Sequence, residues 1–343
     1  MEHYAGIDVS LKQSSVCVMD GSGRIVREAK VASDPDSLVG WFCELGLSVG
    51  RIGLEAGPLS QWLYAALKAA GQEVVLLETR HVKAALSAAP VKTDRKDARG
   101  IAQLVRVGWY RPVHCKRLAA QEVRALLVAR KQLQGKLLDI ERSLRGILRG
   151  FGLKLGAVSK GRFETRIREL VAGHPMLERI AEAMLAARLE LREQFTGLHR
   201  EVLAIARADA VCRRLMTAPG VGAVVAVTYA SAVDDPARFA KSRTVGTHFG
   251  LTPGKYQSGE TDLSGHISKV GDPMVRTVLF EAANIILSRI ARFSTLKRWA
   301  LEVAKRRGLK RAKVALARKL AVVLHRMWVD GTEFRWGREA AVA

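Results

Sequence analysis

Apolar residues at the start of the chain fall in short alternating or β-branched runs, and further on they recur every three or four positions. Residues 3–9, 14–19 and 24–30 are runs of the first kind, and the turn residues Gly21, Ser22 and Gly23 stand among them. This pattern predicts an antiparallel meander, because a strand shows alternate side chains to opposite faces. A helix is then expected over 38–45, a strand over 51–55, a helix over 59–70, a strand over 73–78, and helices over about 80–88 and 94–107. Strands alternating with helices imply an α/β region with a mixed sheet covered by helices.

The pattern changes after residue 113. From Leu118 to Leu148, Leu126, Leu133, Leu137, Leu144 and Leu148 recur at helical spacing between Arg, Lys and Glu, which predicts one long amphipathic helix. Four glycines between Gly150 and Gly161 end it. Helical spacing resumes over 163–207, interrupted near Gly173 and Pro175. Two long helices joined in this way suggest a helical arm, either an antiparallel hairpin or a coiled coil with another subunit. A third region is mostly helical, with helices expected over about 273–291 and 310–329, while Gly250–Gly271 reads as loops and short strands. The boundaries drawn are 1–113, 114–208 and 209–343.

Charge separates these regions again. The chain of 343 residues carries 56 Lys and Arg against 33 Asp and Glu, a formal net charge of +23. Such an excess points to a polyanionic partner, with nucleic acid first. Residues 1–113 hold 14 basic and 12 acidic side chains, residues 114–208 hold 19 and 10, and residues 209–343 hold 23 and 11. The basic surface therefore belongs to the last two regions. Its densest stretch, 297–319, includes Lys305, Arg306, Arg307, Lys310 and Arg311, either a solvated helix face or a track for phosphates. Cys17, Cys43, Cys115 and Cys212 are far apart and form no CxxC pair, so neither a zinc site nor a disulfide framework is expected. No signal peptide or membrane span is expected, and the compartment is read as the cytoplasm, in association with the nucleoid.

The acids of the first region need a reason to gather in a basic protein. Asp8 closes the first strand in Tyr4-Ala5-Gly6-Ile7-Asp8, where Gly6 allows close backbone approach. Glu55 ends a later strand before Ala56-Gly57-Pro58. Asp94 and Asp97 are three apart, which puts both on one helical face. Taken singly, Asp8 and Glu55 are polar strand ends and Asp94 is a helix N-cap. Together, the four carboxylates suit a site for hard divalent cations, Mg²⁺ or Mn²⁺, of the kind that serves phosphodiester cleavage.

In the third region Thr217-Ala218-Pro219-Gly220-Val221-Gly222 has the form of a helix-hairpin-helix turn, whose small residues let backbone N–H groups reach a phosphate. A tight structural turn explains Gly220 and Gly222 nearly as well. Further on stand Phe249-Gly250-Leu251-Thr252-Pro253, Tyr256-Gln257-Ser258-Gly259-Glu260, Gly265 to Asp272, and Arg276. From spacing alone, Ser258 beside Gly259 is an exposed turn.

The order of strand Asp, strand Glu and Asp-x-x-Asp on a helix resembles the ribonuclease H-like fold of RuvC-type nucleases. The segments AGIDVS, GLEAGP and KTDRKDARGIAQL, with GLTPGKYQSG, ISKVGD and Arg276, resemble the DEDD transposases of the insertion-sequence group numbered 110 and 1111 over nearly the whole chain. That resemblance implies a RuvC-like catalytic domain, a C-terminal transposase domain, and a recombinase that acts on the DNA of element ends and target. It implies that Ser258 is the nucleophile, with Ser264 and Ser268 as weaker alternatives, and that a structured guide RNA directs the reaction. A dimer or tetramer is expected, and Lys269 and Arg276 become candidates to neutralise the scissile phosphate. Two other readings compete: a metal-dependent junction endonuclease that uses water, and a non-catalytic nucleic-acid-binding scaffold.

Overall fold

Strands that are apolar at successive positions need cover on both faces of their sheet. The structure is a computed structural model describing residues 2–88 and 91–337. Contacts divide the chain into two units, Met1–Lys116 and Arg117–Ala343.

In the first unit, β1 (His3–Asp8), β2 (Gln13–Asp20), β3 (Ile25–Ala32), β4 (Val49–Glu55), β5 (Val74–Leu77) and β6 (Pro112–Val113) form one sheet. Its order is β3-β2-β1-β4-β5-β6. β1, β2 and β3 make the expected antiparallel meander, β1, β4 and β5 run parallel, and β6 returns antiparallel to β5. The parallel steps are crossed by α1 (Pro35–Glu44) and α2 (Ser60–Ala69), while α3 (Thr79–Leu86) and α4 (Asp94–Arg106) follow β5. Alternation sorts the side chains by face. Ala5, Ile7, Val16, Val18, Ile52 and Leu54 pack with Leu38 and Phe42 of α1 and Leu63 and Leu67 of α2. Cys17 and Met19 turn the other way, onto Ala98 and Ala102 of α4, and Leu77 packs with Ile101, Leu104 and Val105 of the same helix.

Gly6 sets how closely α4 lies on the sheet. A Cβ there would sit 2.3 Å from both the Ala98 carbonyl oxygen and the Ala102 amide nitrogen. Only a residue without a side chain lets the helix backbone rest directly on β1.

The second unit begins with α5 (Leu118–Gly150) and, after the short α6 (Phe163–Val171), continues with α7 (Pro175–Ala208). At 33 and 34 residues, the long helices each extend about 50 Å. They pair antiparallel within one chain. Leu144 and Leu148 of α5 share a core with Leu177 and Leu185 of α7 and Phe163 and Ile167 of α6, whereas Leu127 packs near Val202 and Ala206. Arg188, 2% exposed, ties the three helices. Its Nε donates to Glu141 at 2.8 Å and its Nη1 to Glu164 at 2.7 Å, while the guanidinium lies over the Phe163 ring. A buried charge with partners on two other helices fixes their register.

The remaining helices are α8 (Ala210–Leu215), α9 (Ala223–Val233), α10 (Val245–His248), α11 (Pro273–Ser288), α12 (Thr295–Arg307) and α13 (Leu309–Val329). The core of this part surrounds α9, where Ala226, Val227, Tyr229, Ala232 and Val233 are all buried. Gly250–Gly271 contains β7 (Pro253–Ser258) and β8 (Thr261–Ile267), an antiparallel hairpin. α12 is an addition to the expected helices. Its charged residues leave only Leu296 and Ala300 buried, too few to stand out as an apolar stripe. No helix among the described residues is long and apolar enough to cross a membrane.

Candidate active site

β1 and β4 are neighbouring parallel strands with Ile7 opposite Leu54. The next residues, Asp8 and Glu55, therefore leave the sheet side by side at its carboxyl edge, where open α/β sheets bind their ligands. α4 brings the other two acids. Thr93 has extended backbone, and its hydroxyl accepts a hydrogen bond from the Lys96 amide at 3.2 Å. Thr93 is thus the N-cap, which corrects the reading of Asp94 as the cap; Asp94 and Asp97 both lie in the first helical turn. Carboxylates in that turn also complement the helix dipole.

The acids feel one another. Burial raises the pKa of Asp8, and repulsion from Asp97, Asp94 and Glu55 adds to it, lifting the carboxyl to about 6 against the pull of Lys92. Burial also raises Glu55, with Thr79 and Lys92 opposing and Asp97 reinforcing the shift. Lys92 Nζ lies 3.7 Å from Asp97 Oδ2. Four acids at one sheet edge, with one lysine among them, form a site short of positive charge.

A partner that sequence reading missed holds α4 in place. Glu28 on β3 receives Nε and Nη2 of Arg99 at 2.6 and 2.9 Å, and Nε of Arg95 at 2.8 Å. These hydrogen bonds, Arg99 first and Arg95 second, hold the Glu28 carboxyl down at about 2. Arg95 and Arg99 are four apart on the helix that bears Asp94 and Asp97, so the basic residues of this segment clamp it to the sheet. The four-residue spacing was visible in the sequence, but the acceptor on β3 was not.

An all-carboxylate oxygen donor set fits a hard divalent cation in kind, and mutual repulsion among the acids is what such an ion would relieve. Among the described residues, no three acidic, histidine or cysteine side chains converge closely enough to hold one ion as they stand.

The second unit holds the other candidates. Ser258 ends β7 opposite Thr261, so Gly259, with φ +54°, and Glu260 form the two-residue turn. The serine is exposed at this tip. Ser264 pairs with Lys255 in the hairpin, and the Ser268 amide donates to the Thr252 carbonyl at 2.9 Å. At the hairpin base, Arg276 Nη1 donates to the carbonyls of Val270 at 2.7 Å, Gly271 at 3.1 Å and Phe249 at 3.2 Å. Asp272 caps α11, accepting from the Met274 and Val275 amides, and pairs with Arg124 of α5. The segment from Ile267 to Arg276 therefore anchors the hairpin, and Lys269, exposed with φ +55°, stands in that anchor.

The turn Pro219–Gly222 joins α8 to α9. A Cβ on Gly220 would meet the Ala282 carbonyl oxygen of α11 at 2.6 Å, so its glycine is required by packing as well as by its φ of +75°. Gly222 faces open space. Lys305, Arg306 and Arg307 close α12 and Lys310 and Arg311 open α13, all five exposed on either side of Gly308.

Residues 5–152 match the DEDD transposase model of the IS110 type, described as a transposase. Residues 212–299 match the model described as transposase, IS116/IS110/IS902 family. A transposase for insertion sequence element IS1111A of Coxiella burnetii is 28% identical over 97% of this chain and 91% of its own length. A transposase for insertion sequence element IS1328 of Yersinia enterocolitica is 31% identical over 42% of this chain and 43% of its own. Among solved structures, T. thermophilus RuvC in complex with a Holliday junction substrate aligns over 33% of this chain and 100% of its own, at 17% identity and a TM-score of 0.26. With both family models matched in order along it, this chain belongs to the IS110 family of transposases.

Proposed function

We propose that this transposase cuts and rejoins the DNA strands of its insertion sequence and target with two groups acting together: the acids of the first unit and Ser258 of the second. The observation that carries this reading is that Asp8 and Glu55 end neighbouring parallel strands while Asp94 and Asp97 share the first turn of the helix that rests on β1, near enough for Asp97, Asp94 and Glu55 to raise the Asp8 carboxyl. Ser258 Oγ attacks the phosphorus of the scissile bond, the strand's sugar hydroxyl leaves, and the DNA is held as a phosphoserine ester. An incoming hydroxyl reverses the step and restores the diester, so the bond energy is kept for rejoining. The serine proton passes to a carboxylate of the acid site, which returns it to the departing sugar oxygen. Bound Mg²⁺ or Mn²⁺ would be held by Asp8, Glu55, Asp94 and Asp97 and would neutralise charge on the phosphate.

The exposed cations Lys305, Arg306, Arg307, Lys310 and Arg311, with Lys269, Arg276 and the Gly220–Gly222 turn, bind the nucleic-acid backbone, a structured guide RNA as well as DNA. α5 and α7 pair subunits as a dimer or tetramer, and Ser258 of one copy serves the acids of another. The protein then works at the nucleoid.

Trapping of a covalent protein–DNA adduct tests the serine. An adduct that forms with the native chain and vanishes in Ser258→Ala supports the reading. Full strand cutting by Ser258→Ala overturns it and supports the reading as a junction nuclease that uses water.

A further inference from the structure

The hairpin that carries Ser258 has a second feature on the same face. In its register Tyr256 stands opposite Leu263, Ser258 opposite Thr261, Lys255 opposite Ser264 and Gln257 opposite Asp262. Alternation therefore puts Tyr256, Ser258, Thr261 and Leu263 on one face and the polar residues on the other. On the polar face, Lys255 Nζ and Asp262 Oδ2 pair across the strands at 3.1 Å. On the serine face, Tyr256 is 65% exposed and Leu263 is 62% exposed. An aromatic and an aliphatic side chain paired across strands normally bury against something. Here no described residue of the second unit covers them.

The charge of the surroundings selects the occupant. Residues 209–343 carry 23 basic against 11 acidic side chains, so the complementary partner is a nucleic acid, and an aromatic face stacks on any base. Residues two apart on a strand are about 6–7 Å apart, the reach from a phosphodiester to the base of the adjoining nucleotide. We propose that Tyr256 stacks on the DNA base next to the phosphodiester attacked by Ser258, with Leu263 packed beside it. Tyr256 is then a positioning residue that aligns the strand for the serine. The inference rests on the assignment of Ser258 as nucleophile.

The test uses the full chain, its guide RNA and a duplex of the element end, with 2-aminopurine placed in turn at each base around the cut. The native chain, Ser258→Ala and Tyr256→Phe are expected to change the fluorescence of one base adjoining the cut, and Tyr256→Ala to leave it unchanged. Single-turnover cutting by Tyr256→Ala is expected to fall about 5- to 150-fold, the range for loss of one stacked base, and Tyr256→Phe to restore it. Because Tyr256 is exposed, its truncation leaves no cavity, and an unchanged unfolding midpoint checks this. Native cutting by Tyr256→Ala, or a fluorescence response that survives in it, overturns the proposal. So does a loss of cutting that accompanies loss of self-association in sedimentation, which assigns the face to a second copy of the chain. If Ser258→Ala cuts normally while the response still depends on Tyr256, the nucleophile assignment fails and the stacking stands.

Discussion

The acid site and the serine hairpin are built in opposite ways. Asp8 and Glu55 extend from strands whose preceding residues, Ile7 and Leu54, are fully buried, and α4 is clamped beside them through Glu28 and held against Gly6. Ser258 stands at the tip of a two-stranded hairpin whose residues are almost all exposed, and an isolated hairpin of that kind has little stability of its own. One part is preorganised by a core, while the other is presented to whatever docks on it. The contrast teaches that loss of an acid's neighbours should damage the fold and the chemistry together, whereas loss of the serine should touch chemistry alone.

The largest expected effect tests the acids directly. Asp8→Asn should lower strand cutting by more than the about 100-fold typical of losing an outer-shell metal partner, with DNA binding retained in a filter or mobility assay. Native cutting by this variant, or cutting indifferent to Mg²⁺, would favour a binding scaffold. Gly6→Ala comes next, because its Cβ meets helix backbone at 2.3 Å; a loss of about 3 kcal/mol in urea unfolding is expected. An unchanged urea midpoint would mean that α4 is not pinned as described.

Glu28→Gln should cost about 1 kcal/mol, since its arginine partners are partly exposed. The sign of its pH dependence follows from a carboxyl lowered from 4.5 to about 2. The native pair contributes fully above about pH 4.5 and is lost as pH falls towards 2. The native-minus-variant difference should therefore shrink across that window; a constant difference would rule out the ion pair as its source. Smallest of all, Ser258→Ala should shift stability by less than about 0.5 kcal/mol, and a larger shift would break the contrast between the two regions.

Much of the first unit was legible because its central strands are buried and its strands are separated by turn residues. Three strands, their antiparallel order and the helix bearing Asp94 and Asp97 all follow from local pattern. β6, with two residues, is too short to leave a periodic trace. The hairpin of β7 and β8 was blurred for another reason: it is exposed on both sides and rich in Gly and Ser, and Tyr256 and Leu263, one to a strand, are too few to mark an alternation. Glu28 was invisible because its partners lie 67 and 71 residues away, and only the packing of α4 over β1 and β2, beside β3, brings them together.

Local sequence determined which residues are acids at strand ends, which pair shares a helical turn, and where the long helices begin and break, because propensity, periodicity and turn chemistry act over a few residues. The meeting of the four acids was decided by tertiary structure. It requires β1 and β4 to be parallel neighbours and α4 to rest on Gly6, and those pairings join residues 45 or more positions apart. The shift of Asp8 to about 6 exists only after that assembly, since burial and the approach of like charges are its causes.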